Sequence, residues 1–340
     1  MPKRTFELIR TDEGFFGLEA DWNGLWESLP APSPYLSHDW VAMCWRFAGL
    51  RRPASRRIAI VREDGELAAV LPLTARRRYG LLREYRPLTS LMPQYTDALL
   101  RNDADAAARA ACLLHGLAPG LGVSRLVLGH VPDDSALLPA LRGARRHHWG
   151  DTVGADLSAG FDGYLARLDP ALRSDHRRRL RLLRAAGGYE LRLSDRSTID
   201  ADFNWLLAQK RRWEPPRGKR RRWVDDLASE NSLREFSHRW LDKGRLWLAM
   251  LSLGDAPIAS SLYFAGGSTL WAFMITLDPA HKRFAPGRTL QLMTMERAAA
   301  AGFACVDFMW RRVPDWRDRL KTTEAPIQSV RAFLRPGETS

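Results

Sequence analysis

The chain has 340 residues, 45% of them hydrophobic, with 52 Lys and Arg against 39 Asp and Glu and a formal net charge of +13. That length suits two domains of ordinary size, each with its own core, and the charge favours anionic ligands. No stretch approaches the roughly 18 apolar residues of a membrane span, and the opening MPKRTFELIR lacks a signal-peptide core, so a cytoplasmic location is expected.

Helices are expected first, over Trp22 to Leu29 and Asp39 to Phe47. Ile58 to Leu73 (IAIVREDGELAAVLPL) is an apolar strand, an Asp64-Gly65 turn and a second apolar strand, which signals a hairpin. A helix over Ala104 to Leu117 and a strand over Arg125 to Leu128 follow. The polar, glycine-rich stretch Gly150 to Gly163 reads as a boundary and gives domains 1–157 and 158–335. Beyond it RSDHRRRLRLLR forms an arginine helix that carries Arg173, Arg177, Arg178, Arg179, Arg181 and Arg184.

The second half repeats the order of the first. Helices over Ile199 to Trp213 and Val224 to Lys243 precede a second hairpin, Trp247 to Phe264. Between those helices lies RRWEPPRGKRRRW, where Trp213 and Trp223 bracket a basic cluster able to clamp a flat or sugar-like ligand by stacking and cation–π contact. A strand from Leu270, a basic loop, a helix marked by Leu290, Met293, Met295 and Ala299, and a strand over Cys305 to Phe308 complete the unit. Helices, hairpin, strand, helix, strand, given twice, predict a duplicated α/β fold with mixed sheets.

The loop before the last helix places Pro286 and Gly287 at the helix entry. There the unpaired N–H groups and the positive end of the dipole can hold a phosphate, with Arg283 and Arg288 alongside to add charge-assisted hydrogen bonds. Other chemistries find no support. There is no G-x-S-x-G elbow and no G-x-x-x-x-G-K-[ST] loop. Cys44, Cys112 and Cys305 are scattered, and neither they nor His147-His148 have metal-ligand spacing, so no metal is expected.

SPYLSHDWVAMCW near the start, LRSDHRRRLRLLRAAGG at the centre, and RFAPGRTL followed by an Ala-rich helix, Gly302 and VDFMW carry a family likeness. In that order they resemble the GNAT-like acyltransferases of the CelD/BcsL type, relatives of the FemABX peptidoglycan aminoacyltransferases, over nearly the whole chain. The chain departs from the family after Asp-Phe. A glycine-containing turn and Tyr-Lys are expected there, and MWRRVPDWR puts Trp316-Arg317 in that place without the glycine.

The resemblance implies two tandem GNAT-like domains, each a mixed, mostly antiparallel sheet flanked by helices, with the second as the transferase. It implies acetyl-CoA or another acyl-CoA as co-substrate, its pyrophosphate on the backbone of Ala285, Pro286, Gly287, Arg288 and Thr289 and its pantetheine arm along Leu270 to Leu277. The acceptor would be an amine or hydroxyl of a sugar, polysaccharide precursor or similar polar molecule. Trp213, Trp223, Trp316, Arg317 and Lys321 are the residues expected to bind it, and Asp307, Asp278 and His281 are the candidate bases. The same kinship and the basic clusters also admit a tRNA-dependent aminoacyltransferase, or a non-catalytic module binding an anionic glycan, a carrier lipid or a membrane surface.

Overall fold

The computed structural model describes residues 2–51, 53–78, 82–88, 94–118, 123–141, 143–213 and 223–334. They divide into two compact units, 1–151 with 325–340, and 152–324.

In the first unit the strands are β1 (Arg4–Ile9), β2 (Arg56–Glu63), β3 (Glu66–Arg78), β4 (Leu82–Pro87), β5 (Leu99–Leu100), β6 (Ser124–Pro132) and the first half of β7 (Arg145–Asp156). Its helices are α1 (Asp12–Phe16), α2 (Glu19–Glu27), α3 (His38–Arg51), α4 (Ala106–Leu117) and α5 (Leu137–Ala140). The expected first hairpin is β2–β3, closed by Asp64 and Gly65, both in the left-handed region. β4 runs parallel to β6 through the α4 crossover, while the other pairs are antiparallel.

One face of this sheet meets α4 through Leu71, Leu73, Leu126 and Leu113. Near the start of the chain α1, α2 and α3 gather a core of large aromatic rings, with Phe15 stacked on both Trp45 and His38. An indole N–H in such a core needs a partner. Trp22 donates to Leu36 O, Trp26 to Ser33 O and Trp45 to Asp12 Oδ1, at 2.7–2.8 Å.

The second unit contains α6 (Gly160–Arg167), α7 (Pro170–Ala185), β8 (Tyr189–Leu193), α8 (Ile199–Trp213), α9 (Leu227–Asp242), β9 (Leu246–Leu253), β10 (Ala256–Gly266), β11 (Thr269–Leu277), α10 (Pro286–Ala300) and β12 (Cys305–Arg311). Its strand order is β12-β11-β10-β9-β8, with the end of β7 beside β12. β9–β10 is the expected second hairpin, and β11 runs parallel to β12 through the α10 crossover. The arginine helix is α7, started by Asp169, whose side chain accepts Ala171 N–H.

Two segments part from the sequence reading. Gly150 to Gly163, read as a boundary, does hold the passage from one unit to the next, between 151 and 152, but it is built as the second half of β7 and the start of α6, not as a linker. Gly154 is a glycine because a Cβ there would stand 3.0 Å from Val306 O and 2.7 Å from Thr323 Oγ1. The chain end, placed with the second domain, instead forms β13 (Thr323–Leu334), which pairs antiparallel with β6 from Ile327↔Pro132 to Leu334↔Ser124.

A buried carboxylate ties the first unit's strands together. Glu84 is fully buried on β4 and meets Arg76 at 2.6 Å and Arg86 at 2.7 Å, with Arg125 and Arg78 beside it. Burial alone would raise its pKa, but the guanidinium hydrogen bonds prevail and bring it down to about 2. A carboxyl depressed in the fold stabilises fully above its ordinary pKa and loses that contribution as pH falls toward the folded value. Urea unfolding at neutral pH should therefore show Glu84→Gln destabilised by about 2 kcal/mol, a discounted figure because the arginines are partly exposed. The difference from the parent should fade between pH 4.5 and pH 2.

Candidate active site

β11 and β12 pair at only three positions, Thr269↔Cys305, Leu270↔Val306 and Trp271↔Asp307. Beyond them β11 runs on to Leu277 with β10 on one side, and among the described residues no strand pairs with its other edge. At ~3.3 Å per residue the bare edge from Ala272 to Leu277 is about 20 Å long.

Several local features turn β12 away. Met309 has φ +66°, a left-handed conformation that a non-glycine residue adopts at a cost of ~1 kcal/mol. Asp307 Oδ1 accepts the Met309 N–H at 2.5 Å and so braces that bend. Arg317 reaches back from the turn Trp316–Arg319 and donates to Phe308 O and Trp310 O, both at 3.0 Å.

At the far end of β11, Asp278 starts the short 3₁₀ segment Pro279–Phe284, its Oδ1 accepting Ala280 N–H at 2.9 Å. Ala285 follows in the left-handed region, φ +47°, and α10 begins at Pro286. Ala285 has no side-chain oxygen with which to cap the helix, and Pro286 has no N–H. Ala285 N–H donates to Lys282 O, and Thr289 uses its N–H on Ala285 O and its hydroxyl on Phe284 O. Among the described residues the N–H groups of Gly287 and Arg288 have no protein acceptor. Gly287 is packed against β11, where a Cβ would stand 3.1 Å from Leu277 Cδ2.

α7 brings positive charge to the same place. Arg179 donates to Arg283 O, and Arg288 pairs with Asp175, which also meets Arg178 at 2.6 Å and Arg179 at 3.2 Å. Burial lowers the Arg288 pKa, and Arg319, Arg179 and Arg178 add to that, opposed by Asp175. His176 is buried beside this group with Nδ1 unpartnered, and burial and then Arg288 push it down to about 4, so the ring is neutral at pH 7. Asp175 and His176 escaped the sequence reading, where the helix stood out only for its arginines.

The residues named from sequence separate into groups. Gly287 and Arg288 stand together at the helix entry, whereas the polar groups of Ala285 and Thr289 are used within the protein. Arg283 is exposed and lies over the Phe284 ring at 4.6 Å. Asp278 and His281 are neighbours, Oδ2 to Nδ1 3.3 Å. Asp307 lies across from Trp271, seven residues back along the chain from Asp278, or roughly 23 Å of strand. Trp316 is 39% exposed and meets Phe308 edge-on at 6.2 Å. Arg317 is held by Asp315 and the two β12 carbonyls, and Lys321 by Glu324 at 2.6 Å and Asp318 at 3.1 Å. The side chains of Trp213 and Trp223 lie outside the described residues, as do residues 214–222 of the basic cluster between them.

α10 is less amphipathic than expected. Its first half is buried on both sides, between the β9–β11 face and helices α6 and α7. Gln291 and Thr294 are buried there, Gln291 Nε2 donating to Ser261 Oγ at 3.1 Å. Among the described residues no helix is long and apolar enough to cross a membrane, and no group of His, Cys, Asp and Glu could hold a metal ion.

Residues 170–316, which include α7, the open edge of β11 and the α10 entry, match the model of an acetyltransferase (GNAT) domain. No curated protein matches the chain. Among solved structures it is similar to FemX, 14% identical with a TM-score of 0.64 over 95% of this chain and 96% of that one. It is also similar to the C-terminal domain of a putative lysylphosphatidylglycerol synthetase from Agrobacterium fabrum, 11% identical with a TM-score of 0.58, covering 93% and 91%. L-PGS from Bacillus licheniformis, 10% identical, covers 97% and 93% with a TM-score of 0.53. At these identities the likeness concerns the fold, a mixed α/β architecture with GNAT-like units.

Arg317 offers a test of structure against acceptor binding. Arg317→Ala leaves Phe308 O, Trp310 O and Asp315 short of a donor, and should cost about 2 kcal/mol in urea unfolding. Arg317→Lys should recover little of it, since an ammonium cannot reproduce the fork. The chain thus carries an acetyltransferase (GNAT) domain at residues 170–316 and is an acyltransferase.

Proposed function

We propose that the chain transfers an acyl group, in the simplest case acetyl, from acyl-CoA to an amine or hydroxyl of a sugar, polysaccharide precursor or similar polar acceptor. The observation that carries this reading is the bare β11 edge ending beside two unengaged amides. An edge about 20 Å long offers ladder hydrogen bonds to an extended pantetheine arm. At its end the Gly287 and Arg288 N–H groups, the α10 dipole and the Arg288 and Arg179 guanidiniums favour a diphosphate.

That orientation orders the candidate bases. With the diphosphate at α10, the thioester comes to the narrow end of the wedge, near Trp271 and Asp307. Asp307 then stands by the reacting carbonyl and is the carboxylate placed to receive the acceptor's proton, while Asp278 and His281 lie at the diphosphate end. Trp316, exposed beyond β12, gives a flat face on which a sugar can stack. Exposed Arg177, Arg178, Arg181 and Arg184 on α7 favour a second donor, aminoacyl-tRNA, in place of CoA.

Gly287→Asp adds a negative charge at the helix entry and crowds Leu277. Calorimetric titration should show CoA binding to the parent and none to this variant. CoA affinity unchanged by the substitution removes the diphosphate placement, and salt-sensitive tRNA binding without CoA binding selects the second donor. Asp307→Asn should lower kcat about 100-fold with KM for acyl-CoA little changed, and His281→Ala should leave kcat within a few-fold of the parent. The reverse pattern would move the base to the other end of β11.

A further inference from the structure

In a chain where cations outnumber carboxylates, buried acids recruit arginines. Glu63 has Arg4, Arg101 and Arg109, and Glu84 has Arg76, Arg78, Arg86 and Arg125. Asp97 of the first unit, which is partly buried, does not. Its Oδ1 accepts Ala98 N–H at 2.8 Å and Ser135 Oγ–H at 2.5 Å, and among the described residues no Lys, Arg or His pairs with it. A desolvated carboxylate without a counter-charge is costly and is usually paired.

Asp97 lines a cavity of about 20 Å³ with a mouth to solvent, walled by Tyr35, Trp40 and Tyr95. Those rings are at most 7% exposed, Tyr35 meeting Trp40 at 5.0 Å edge-on and Tyr95 at 6.4 Å. The volume exceeds the roughly 10–15 Å³ that one water needs and is far below that of a sugar ring. Aromatic rings that line a cavity with a carboxylate can attract a cation by the ring quadrupole as well as by charge.

We propose that this pocket binds the protonated primary ammonium group of a small molecule, the ammonium seated on Asp97 between Tyr35, Trp40 and Tyr95 and the rest of the molecule outside the mouth. A protonated amine is not a nucleophile, so this is a recognition site and not the place of acyl transfer, and it stands whether or not the donor is acyl-CoA. Burial holds the unliganded carboxyl up at about 7, with Asp134 adding to the rise against the Ser135 and Ala98 hydrogen bonds. His130, whose carbonyl accepts Thr96 N–H, is itself lowered to about 4 by burial, so its ring is uncharged there. The ammonium needs the ionised form, so its affinity is full above that value and declines as pH falls through it.

The test uses the full chain and follows the Trp40 indole resonance by NMR, with calorimetry in parallel. Methylammonium and glucosamine should shift that resonance and saturate, whereas N-acetylglucosamine should not. Methylammonium, which stays protonated throughout this range, should bind roughly tenfold more weakly at pH 6 than at pH 8. Asp97→Asn should abolish the effect while its melting temperature is unchanged or higher, because a partly buried carboxylate without a counter-charge has gone. If methylammonium leaves the Trp40 signal unmoved at pH 8, the proposal fails. It fails equally if N-acetylglucosamine or Asp97→Asn matches the parent interaction, or if the wild-type affinity is the same at both pH values.

Discussion

The second unit depends on the parting of β11 from β12. Parallel strands joined by a helix ordinarily stay paired along their length, because a bare ladder edge leaves N–H and C=O groups to water. Here the pairing stops after Trp271 and Asp307 and is held open by features of opposite kinds. Met309 accepts a disfavoured backbone, Asp307 takes its amide, and Arg317 occupies the Phe308 and Trp310 carbonyls. α10, buried on both sides over its first half, adds bulk at the crossover. A wedge kept open at this cost by structure around it is what a site for an extended ligand needs.

The first unit repeats the crossover and serves as an internal comparison. β4 pairs with β6 at three positions, with α4 as the connecting helix, as α10 connects β11 and β12. The two helix entries differ in charge. α4 is preceded by Asp103 and Asp105, with Asp103 Oδ1 accepting Asp105 N–H and pairing with Arg109. Carboxylates at a helix N-terminus satisfy the dipole from within and repel an incoming phosphate. α10 has Ala285, Pro286 and Gly287 at its entry, which supply no such group. The same crossover thus carries carboxylates at one helix entry and none at the other.

Much of this was legible in the sequence, where local chemistry alone sets the structure. Both hairpins were readable because runs of apolar residues flank Asp-Gly or Gly-Asp turns, and Pro286-Gly287 marked the helix entry. β7 was not, because glycines in a polar stretch look like a linker. Gly154 is there to let Val306 O approach, a tertiary cause invisible locally. β13 escaped because Arg331 and Phe333 lie on its exposed side and its partner β6 is about two hundred residues earlier. In the site, the charge of Arg317 was visible in the sequence, whereas its bonds to Asp315 and to two backbone carbonyls were not. Asp175 was hidden among arginines, though its position at the centre of Arg178, Arg179 and Arg288 gives that helix its bearing on α10.

Asp175 also governs how the positive charge near α10 can be used. Unopposed, Arg178, Arg179 and Arg288 would repel one another, and long side chains would swing into water. The carboxylate holds them at fixed positions and cancels one charge of three, leaving the group cationic. Arg319 couples to Arg288 as a further cation. On the proposed reading, a diphosphate at the Gly287 and Arg288 amides would meet guanidiniums already oriented, and less side-chain entropy would be lost on binding than with free arginines. On that reading the same carboxylate would also limit affinity, since it repels an anion. A site that must release its spent donor after each transfer gains from that balance, because an anion bound without opposition leaves slowly and would make release the limiting step.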